Sequence, residues 1–272
     1  MGAVLLGVST SSVALAWVVG EPGRAHTARA WLVVPTLAAT PTEPTLTRTA
    51  PAPELEPEPE PEPPLDPGLV AYHGPRTGRR VAITFDDGPS PTLTPRVLEV
   101  LRLHDVHATF FLLGTQVEKF PALARDIADA GHDLANHSLS HRSFRSLFPS
   151  EITRELDRTD AAIAAATGLR PRFVRPPYGR FPDSTVALVR DRGGDLVLWS
   201  VDAGDWGDAP PEQIATAVVE AATPGAIILL HDREPATVRA LPEILAGLRR
   251  RGLEPVSVAE LLDRPAYLPS DG

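Results

Sequence analysis

Apolar and polar positions along the chain predict a repeating order of strands and helices from about residue 72 onward. Short apolar runs are typical of buried strands, and apolar residues spaced three or four apart are typical of amphipathic helices. Strands are predicted at 80–85, 109–113, 133–136, 173–174, 196–201, 226–230 and 254–256. Helices are predicted at 93–103, 117–130, 151–167, 185–192, 211–222 and 241–250, with a last helical turn at 259–262.

Strands and helices in this alternation favour a parallel sheet with helices outside it. The strand at 226–230 is apolar throughout, as expected of a parallel strand that is covered on both faces. Polar motifs follow the strands, and a closed or nearly closed barrel brings many strand ends to one point more easily than a flat sheet does. We therefore expect an α/β barrel, although an open doubly wound sheet would also place its site at the strand ends.

The chain before this domain has a different composition. Residues 1–39 include an apolar run from Ala3 to Val19, which predicts a signal peptide or a membrane anchor, although no basic residue precedes it. A disordered leader without a targeting role is the alternative. Residues 40–71 are rich in Pro, Glu and Thr and predict a disordered linker, because proline and like charges prevent a packed core.

These boundaries leave a catalytic domain at 72–264 and a tail at 265–272. With such a leader, the protein is expected to be extracytoplasmic, either secreted or anchored to the membrane by its N-terminal segment, and to be a monomer. The chain has no cysteine, which excludes disulfides, thiolate metal ligands and a cysteine nucleophile. Its formal net charge is −9, and no basic field suited to nucleic acid is visible.

Two motifs carry groups that could hold a metal ion. Asp86 and Asp87 are adjacent at a strand end, so one carboxylate can bind a metal while the other faces the substrate. His137 and His141 are four residues apart, and a helical turn would put them on one face. Two imidazoles and one carboxylate form a three-point site that leaves positions open for water. A simple turn at Asp86–Pro89 and a structural role for each histidine are the alternatives.

Three further motifs offer an arginine, carboxylates and a distant histidine. Arg175 precedes two prolines that hold the backbone extended, and it could make a bidentate bond with a carboxylate. Asp202, Asp205 and Trp206 follow the strand at 196–201. His231 ends the apolar strand and is a natural proton donor. Taken singly, each could instead be a surface arginine, a turn or a structural histidine.

All five motifs in this order resemble those of the NodB-homology polysaccharide deacetylases, carbohydrate esterase family 4. The motifs read Thr-Phe-Asp-Asp-Gly-Pro, His-Ser-Leu-Ser-His, Arg-Pro-Pro-Tyr-Gly, Asp-Ala-Gly-Asp-Trp and Leu-Leu-His-Asp, and the likeness covers roughly residues 78–262. The resemblance implies a distorted (β/α)7 barrel, a polysaccharide substrate and one divalent metal ion, Zn2+ or alternatively Co2+. One departure is Leu139, where many members carry a bulky aromatic residue.

The resemblance also implies roles for individual residues. Asp87, His137 and His141 would bind the metal, Asp86 would be the general base, and Arg175 would orient Asp86. His231 would be the general acid, with Asp202 preferred to Asp205 as its partner because Asp202 lies nearer the strand end. The backbone amide of Tyr178 would hold the oxyanion, and Trp206 and Leu229 would line the pocket for the acetyl methyl group.

The expected activity is removal of N-acetyl groups from a polysaccharide that contains N-acetylglucosamine, such as peptidoglycan or a chitin-like polymer. An O-deacetylase such as an acetylxylan esterase would use the same site. A non-haem iron oxygenase also uses two histidines and a carboxylate, but the α/β alternation is unlike its usual scaffold, and Asp86 and His231 would have no role. A non-catalytic cell-wall-binding module is the remaining alternative.

Overall fold

The computed structural model describes residues 70–269. The predicted leader at 1–39 and nearly all of the predicted linker at 40–71 lie outside these residues, as does the end of the tail. Among the residues described, no helix has both the length and the apolar character needed to cross a bilayer.

A single parallel sheet forms the centre of the described domain. Its strands follow the path β1-β6-β5-β4-β3-β2-β8-β7, and β9 pairs with the start of β2. The strands are β1 Val70–Ala71, β2 Arg80–Asp86, β3 Thr109–Leu112, β4 Asp133–Asn136, β5 Phe173–Val174, β6 Asp195–Val197, β7 Val201–Asp202, β8 Ile227–His231 and β9 Glu254–Val256. Every pairing between these named strands is parallel, as the alternation predicts.

The sheet curls into a half-barrel, which confirms the prediction of a distorted (β/α)7 fold. The predicted strand at 196–201 is wrong as one element, because its two halves pair at opposite ends of the sheet. Leu198 N–H donates to the Ala71 carbonyl, whereas Ser200 N–H donates to the Ile227 carbonyl. The same short segment therefore supplies both β6 and β7, and Trp199 lies at the break between them.

Helices cover the outside of the sheet. They are α1 Thr94–Leu103, α2 Gly114–Lys119, α3 Pro121–Asp129, α4 Pro149–Thr167, α5 Ser184–Asp191, α6 Pro211–Ala221, α7 Pro235–Arg250 and α8 Val258–Leu262. The single helix predicted at 117–130 is two helices, because Pro121 disfavours a helical conformation at Phe120. The helix predicted to begin at 241 begins at Pro235 and contains Pro242 near its middle.

Buried apolar side chains of the strands and helices form the core, which reaches to the carboxyl ends of the strands. Asp86 ends β2, Asn136 ends β4 and His231 ends β8. Because the strands are parallel, these ends share one edge of the sheet. The polar motifs are thus gathered on one rim above an apolar interior.

Candidate metal centre and active site

Asp86 and Asp87 lie at the end of β2 and face different partners. Asp86 is only 3% exposed, and its Oδ1 accepts a hydrogen bond of 2.6 Å from Arg175 Nη1. Asp87 has a φ of 74°, a left-handed conformation that is uncommon for a residue with a side chain. This conformation turns the Asp87 carboxylate toward His137 and His141. The two carboxylates do not point fully apart, since Asp86 Oδ2 and Asp87 Oδ1 each lie 3.6 Å from His137 Nε2.

The loop after β4 brings His137 and His141 together without a helical turn, which corrects the predicted conformation. Ser138 and His141 have φ values of 70° and 61°, so the chain turns sharply between the two imidazoles. Their ring centroids are nevertheless 5.1 Å apart. Glu155 of α4 holds this loop, because its carboxylate accepts hydrogen bonds from both the backbone N–H and the hydroxyl of Ser140.

The three predicted metal ligands converge on one point. Asp87 Oδ1 lies 3.6 Å from His137 Nε2 and 3.4 Å from His141 Nε2. These atoms form the only group of three or more such side chains found in the described residues with ligand atoms within 4.8 Å of one another. Asp87 Oδ1 is buried and has no hydrogen-bond partner. A buried carboxylate oxygen without a donor fits a cation, since burying it unpaired costs free energy.

The protonation of His137 also suits a metal ligand. Its Nδ1 lies 2.8 Å from the Arg175 carbonyl oxygen, which can only accept, so the ring proton is on Nδ1 and the Nε2 lone pair faces Asp87. Burial lowers the pKa of His137 to about 3, and the opposing charge of Asp87 does not restore it. The imidazole is therefore neutral at physiological pH.

Arg175 is fully buried and connects Asp86 to the barrel wall. Its Nη1 donates to Asp86 and to the hydroxyl of Thr84, while Nε and Nη2 donate to the carbonyls of Val197 and Leu198. The expected bidentate bond with a carboxylate is wrong, because only Nη1 reaches Asp86. Burial raises the pKa of Asp86, and the positive charge of Arg175 opposes that rise.

His231 pairs with Asp205, so the expected pairing with Asp202 is wrong. His231 Nδ1 lies 2.8 Å from Asp205 Oδ1, and its backbone N–H donates to Asp205 Oδ2. Asp202 is exposed, and its carboxylate accepts from the N–H of Gly204 instead. Burial alone would lower the pKa of His231, but the Asp205 hydrogen bond and the charges of the neighbouring carboxylates raise it to about 9.

A cavity of about 590 Å³ joins these groups. Tyr178, Trp206 and Leu229 line it, and the Tyr178 ring packs edge-on against His141. Tyr178 and Trp206 are largely exposed, whereas Leu229 is buried. The cavity is also lined by Arg180, Trp199 and Glu234, to which the sequence reasoning gave no role.

Two supporting carboxylates were also missed. Glu155 lies in the middle of a helix, and no local pattern relates it to the histidine motif. Asp232 is fully buried, accepts a hydrogen bond from Thr94, and packs against Gly88, where a Cβ atom would collide with it. Burial raises the pKa of Asp232 to about 7. Its place within the Leu-Leu-His-Asp motif was the available signal.

Comparison with known proteins agrees with the fold and the motifs. The family profile described as Polysaccharide deacetylase matches residues 73–197. A peptidoglycan-N-acetylglucosamine deacetylase of Bacillus cereus is 34% identical over 195 residues, which cover 70% of this chain and 71% of the relative. A chitooligosaccharide deacetylase of a Bradyrhizobium species is 40% identical over 191 residues, which cover 65% of this chain and 87% of that protein. The chain belongs to the polysaccharide deacetylases of carbohydrate esterase family 4.

A solved structure supports the same membership of the polysaccharide deacetylases. The peptidoglycan N-acetylglucosamine deacetylase Bc1960 superposes with a TM-score of 0.72 at 32% identity, covering 74% of this chain and 95% of Bc1960. As a polysaccharide deacetylase the chain is a hydrolase, which confirms the expectation of an enzyme. The metal-dependent chemistry of this family is compatible with the Asp87, His137 and His141 cluster.

Proposed function

We propose that the chain removes N-acetyl groups from a polysaccharide containing N-acetylglucosamine, such as peptidoglycan or a chitin-like polymer. The observation that carries the proposal is the buried, unpartnered Oδ1 of Asp87 facing the Nε2 atoms of two histidines. A buried carboxylate, Asp86, and a histidine with a raised pKa, His231, line the same cavity. The relatives are named as deacetylases of peptidoglycan and of chitooligosaccharides, which supports this substrate class.

Asp87, His137 and His141 would hold the metal ion. Two imidazoles and a carboxylate suit zinc, with cobalt as an alternative, and leave coordination positions open. A bound cation would polarise both a water molecule and the amide carbonyl. The hydrogen bond from His137 Nδ1 to the Arg175 carbonyl fixes the orientation and tautomer of that ligand.

Asp86 acts as the general base. Its Oδ1 is engaged by Arg175, while its Oδ2 lies 3.6 Å from His137 Nε2 and faces the metal-binding side. Arg175 opposes the rise in the pKa of Asp86 that burial causes, and it fixes the direction of the free oxygen. Asp86 would therefore take the proton of the attacking water as the carbonyl carbon becomes tetrahedral.

His231 acts as the general acid. Asp205 accepts a hydrogen bond from the Nδ1–H of His231, so in the imidazolium form Nε2 carries the proton that is transferred to the leaving amine. The Tyr178 backbone N–H is proposed to donate to the developing oxyanion. Trp206 and Leu229 would exclude water around the acetyl methyl group, consistent with their position in the cavity lining.

The experiment that tests this function compares hydrolysis of an N-acetyl amide with hydrolysis of an O-acetyl ester in one assay. Acetate release by zinc-loaded full-length protein is measured with acetylated chito-oligosaccharides and with acetylxylan. N-deacetylation predicts release from the first and little from the second. Release from acetylxylan alone would instead establish the O-deacetylase alternative, and release from neither would contradict the proposal.

The domain organisation is proposed to serve a polymer outside the cytoplasm. Residues 72–264 form the deacetylase domain, 40–71 the linker and 1–39 a signal peptide or membrane anchor. The relatives named for peptidoglycan act on a cell-wall polymer, which supports this location. Fractionation of cells expressing the full chain should place it in the medium or the membrane. Recovery solely in the cytoplasmic fraction would contradict this organisation.

A further inference from the structure

One positively charged side chain that lines the cavity has no role in the proposed chemistry. Arg180 lines it beside Tyr178 and is the only arginine or lysine among the described lining residues. Its side chain is exposed and makes no hydrogen bond or ion pair within residues 70–269. Asp202 and Glu234 line the same cavity, yet neither is paired with it. The guanidinium donors of Arg180 are therefore available to a ligand.

The backbone of Arg180 is held firmly although its side chain is free. Its N–H donates to the Pro177 carbonyl, which closes the turn Pro177–Gly179. Gly179 has a φ of 62° and lies so near Trp199 that a Cβ atom would be 2.8 Å from the indole ring. On the other side, Phe181 packs against a buried apolar cluster. The guanidinium thus extends from a fixed point on the cavity wall.

We propose that Arg180 binds a carboxylate on a sugar next to the one that is deacetylated, which makes the preferred substrate an acid-bearing aminosugar polymer. Arginine presents paired donors that match the two oxygens of a carboxylate. N-Acetylmuramic acid carries a carboxylate on its lactyl ether, either free or extended by a peptide, whereas a chitin oligomer carries none. Four acidic side chains also line the cavity, and the positive charge of Arg180 offsets part of their repulsion of such a substrate.

This inference rests on the proposed function for the identity of the reaction, but its test does not. The test uses three tetrasaccharides of alternating N-acetylglucosamine and N-acetylmuramic acid that differ only in the lactyl group. The lactyl group is a free acid in the first and a carboxamide in the second. In the third it carries a dipeptide that ends in a carboxylate. Binding is measured by calorimetry on zinc-loaded full-length protein carrying Asp86→Asn to stop turnover. Acetate release is measured in parallel on protein without that substitution.

The free acid or the dipeptide acid should bind about tenfold more tightly than the carboxamide, as a charge-assisted hydrogen bond allows. Which acid shows the preference tells whether the carboxylate is that of the lactyl group or that of the peptide. Arg180→Gln should bring the ratio to about one, and Arg180→Lys should retain part of it. Arg239→Gln is the matched control, because it removes the same charge from an exposed position on α7.

Equal binding of acids and carboxamide, or a preference that survives Arg180→Gln, would overturn the assignment of Arg180. The acetate measurement judges the other proposal separately. Absence of acetate release with the binding ratio intact would refute the deacetylase reaction and leave the carboxylate site standing. Normal acetate release with a binding ratio of one would refute the carboxylate site and leave the deacetylase reaction standing.

Discussion

Asp86 and Asp87 are neighbours in the chain, but their carboxylates have different partners. Arg175 binds the first, and the second is unpartnered between two imidazoles. We expect Asp86→Asn to lower kcat about 10² to 10⁴-fold while zinc affinity changes little, because the base is lost and the ligands remain. Asp87→Asn should lose both zinc and turnover. Calorimetric zinc titration and acetate release check the pair, and equal zinc loss in the two variants would refute this division of roles.

The partner of His231 determines the alkaline limit of activity. A raised pKa of about 9 means that the imidazole is protonated at neutral pH and loses its proton as pH rises through that value. A bound cation would lower this pKa, so the alkaline limb of the metal-loaded enzyme should lie at or below pH 9. Together with the need for ionised Asp86 at low pH, this predicts a bell-shaped profile of kcat/KM.

Removing the Asp205 charge should move that alkaline limb. Asp205→Asn is expected to shift it to lower pH by about one to three units, since an opposite charge in contact stabilises the imidazolium by that much. Asp202→Asn is the control, because Asp202 bonds Gly204 and not His231. The reverse pattern, with a shift for Asp202→Asn only, would contradict the pairing.

At the scale of elements, α4 positions a metal ligand that it does not contain. Glu155 accepts two hydrogen bonds from Ser140, beside His141. We expect Glu155→Ala to weaken zinc binding about 10 to 100-fold, as loss of a supporting contact commonly does. Chelator competition measures the change. Glu118→Ala, which removes an exposed glutamate paired with Arg158, should leave zinc affinity unchanged. An unchanged zinc affinity in Glu155→Ala would show that the loop does not need Glu155 to position His141.

The arrangement of the strands and helices also shows which features of the fold and the site sequence patterns can predict. Strand–helix alternation and polar residues after strands were enough to place the ligands at one rim, because parallel strands share their carboxyl ends. Conformations after the strands were not predictable in this way. Gly204, with a φ of 63°, turns the chain after β7 so that Asp205 reaches His231 while Asp202 remains exposed. Nearness to a strand end in sequence was therefore a poor guide to the pairing.

At the scale of the whole domain, we expect the core to fold without the metal. Three clusters of buried apolar residues hold the strands and helices together. We expect chelation to abolish activity and preserve the far-UV circular dichroism spectrum. Zinc at about 100 times its Kd should then raise Tm by roughly 5–10 °C, from binding to the folded state alone. Unfolding on chelation would contradict a preformed site.

Anomalous diffraction from crystals of the zinc-loaded protein, recorded at the zinc edge, would locate the metal ion directly. We expect one strong peak at the rim of the half-barrel, about 2.0–2.2 Å from the Nε2 atoms of His137 and His141 and from an oxygen of Asp87. Asp86 and His231 should face the cavity beside that peak without binding it. Absence of the peak, or a metal ion bound by other side chains, would contradict the assignment of Asp87, His137 and His141 as the metal ligands.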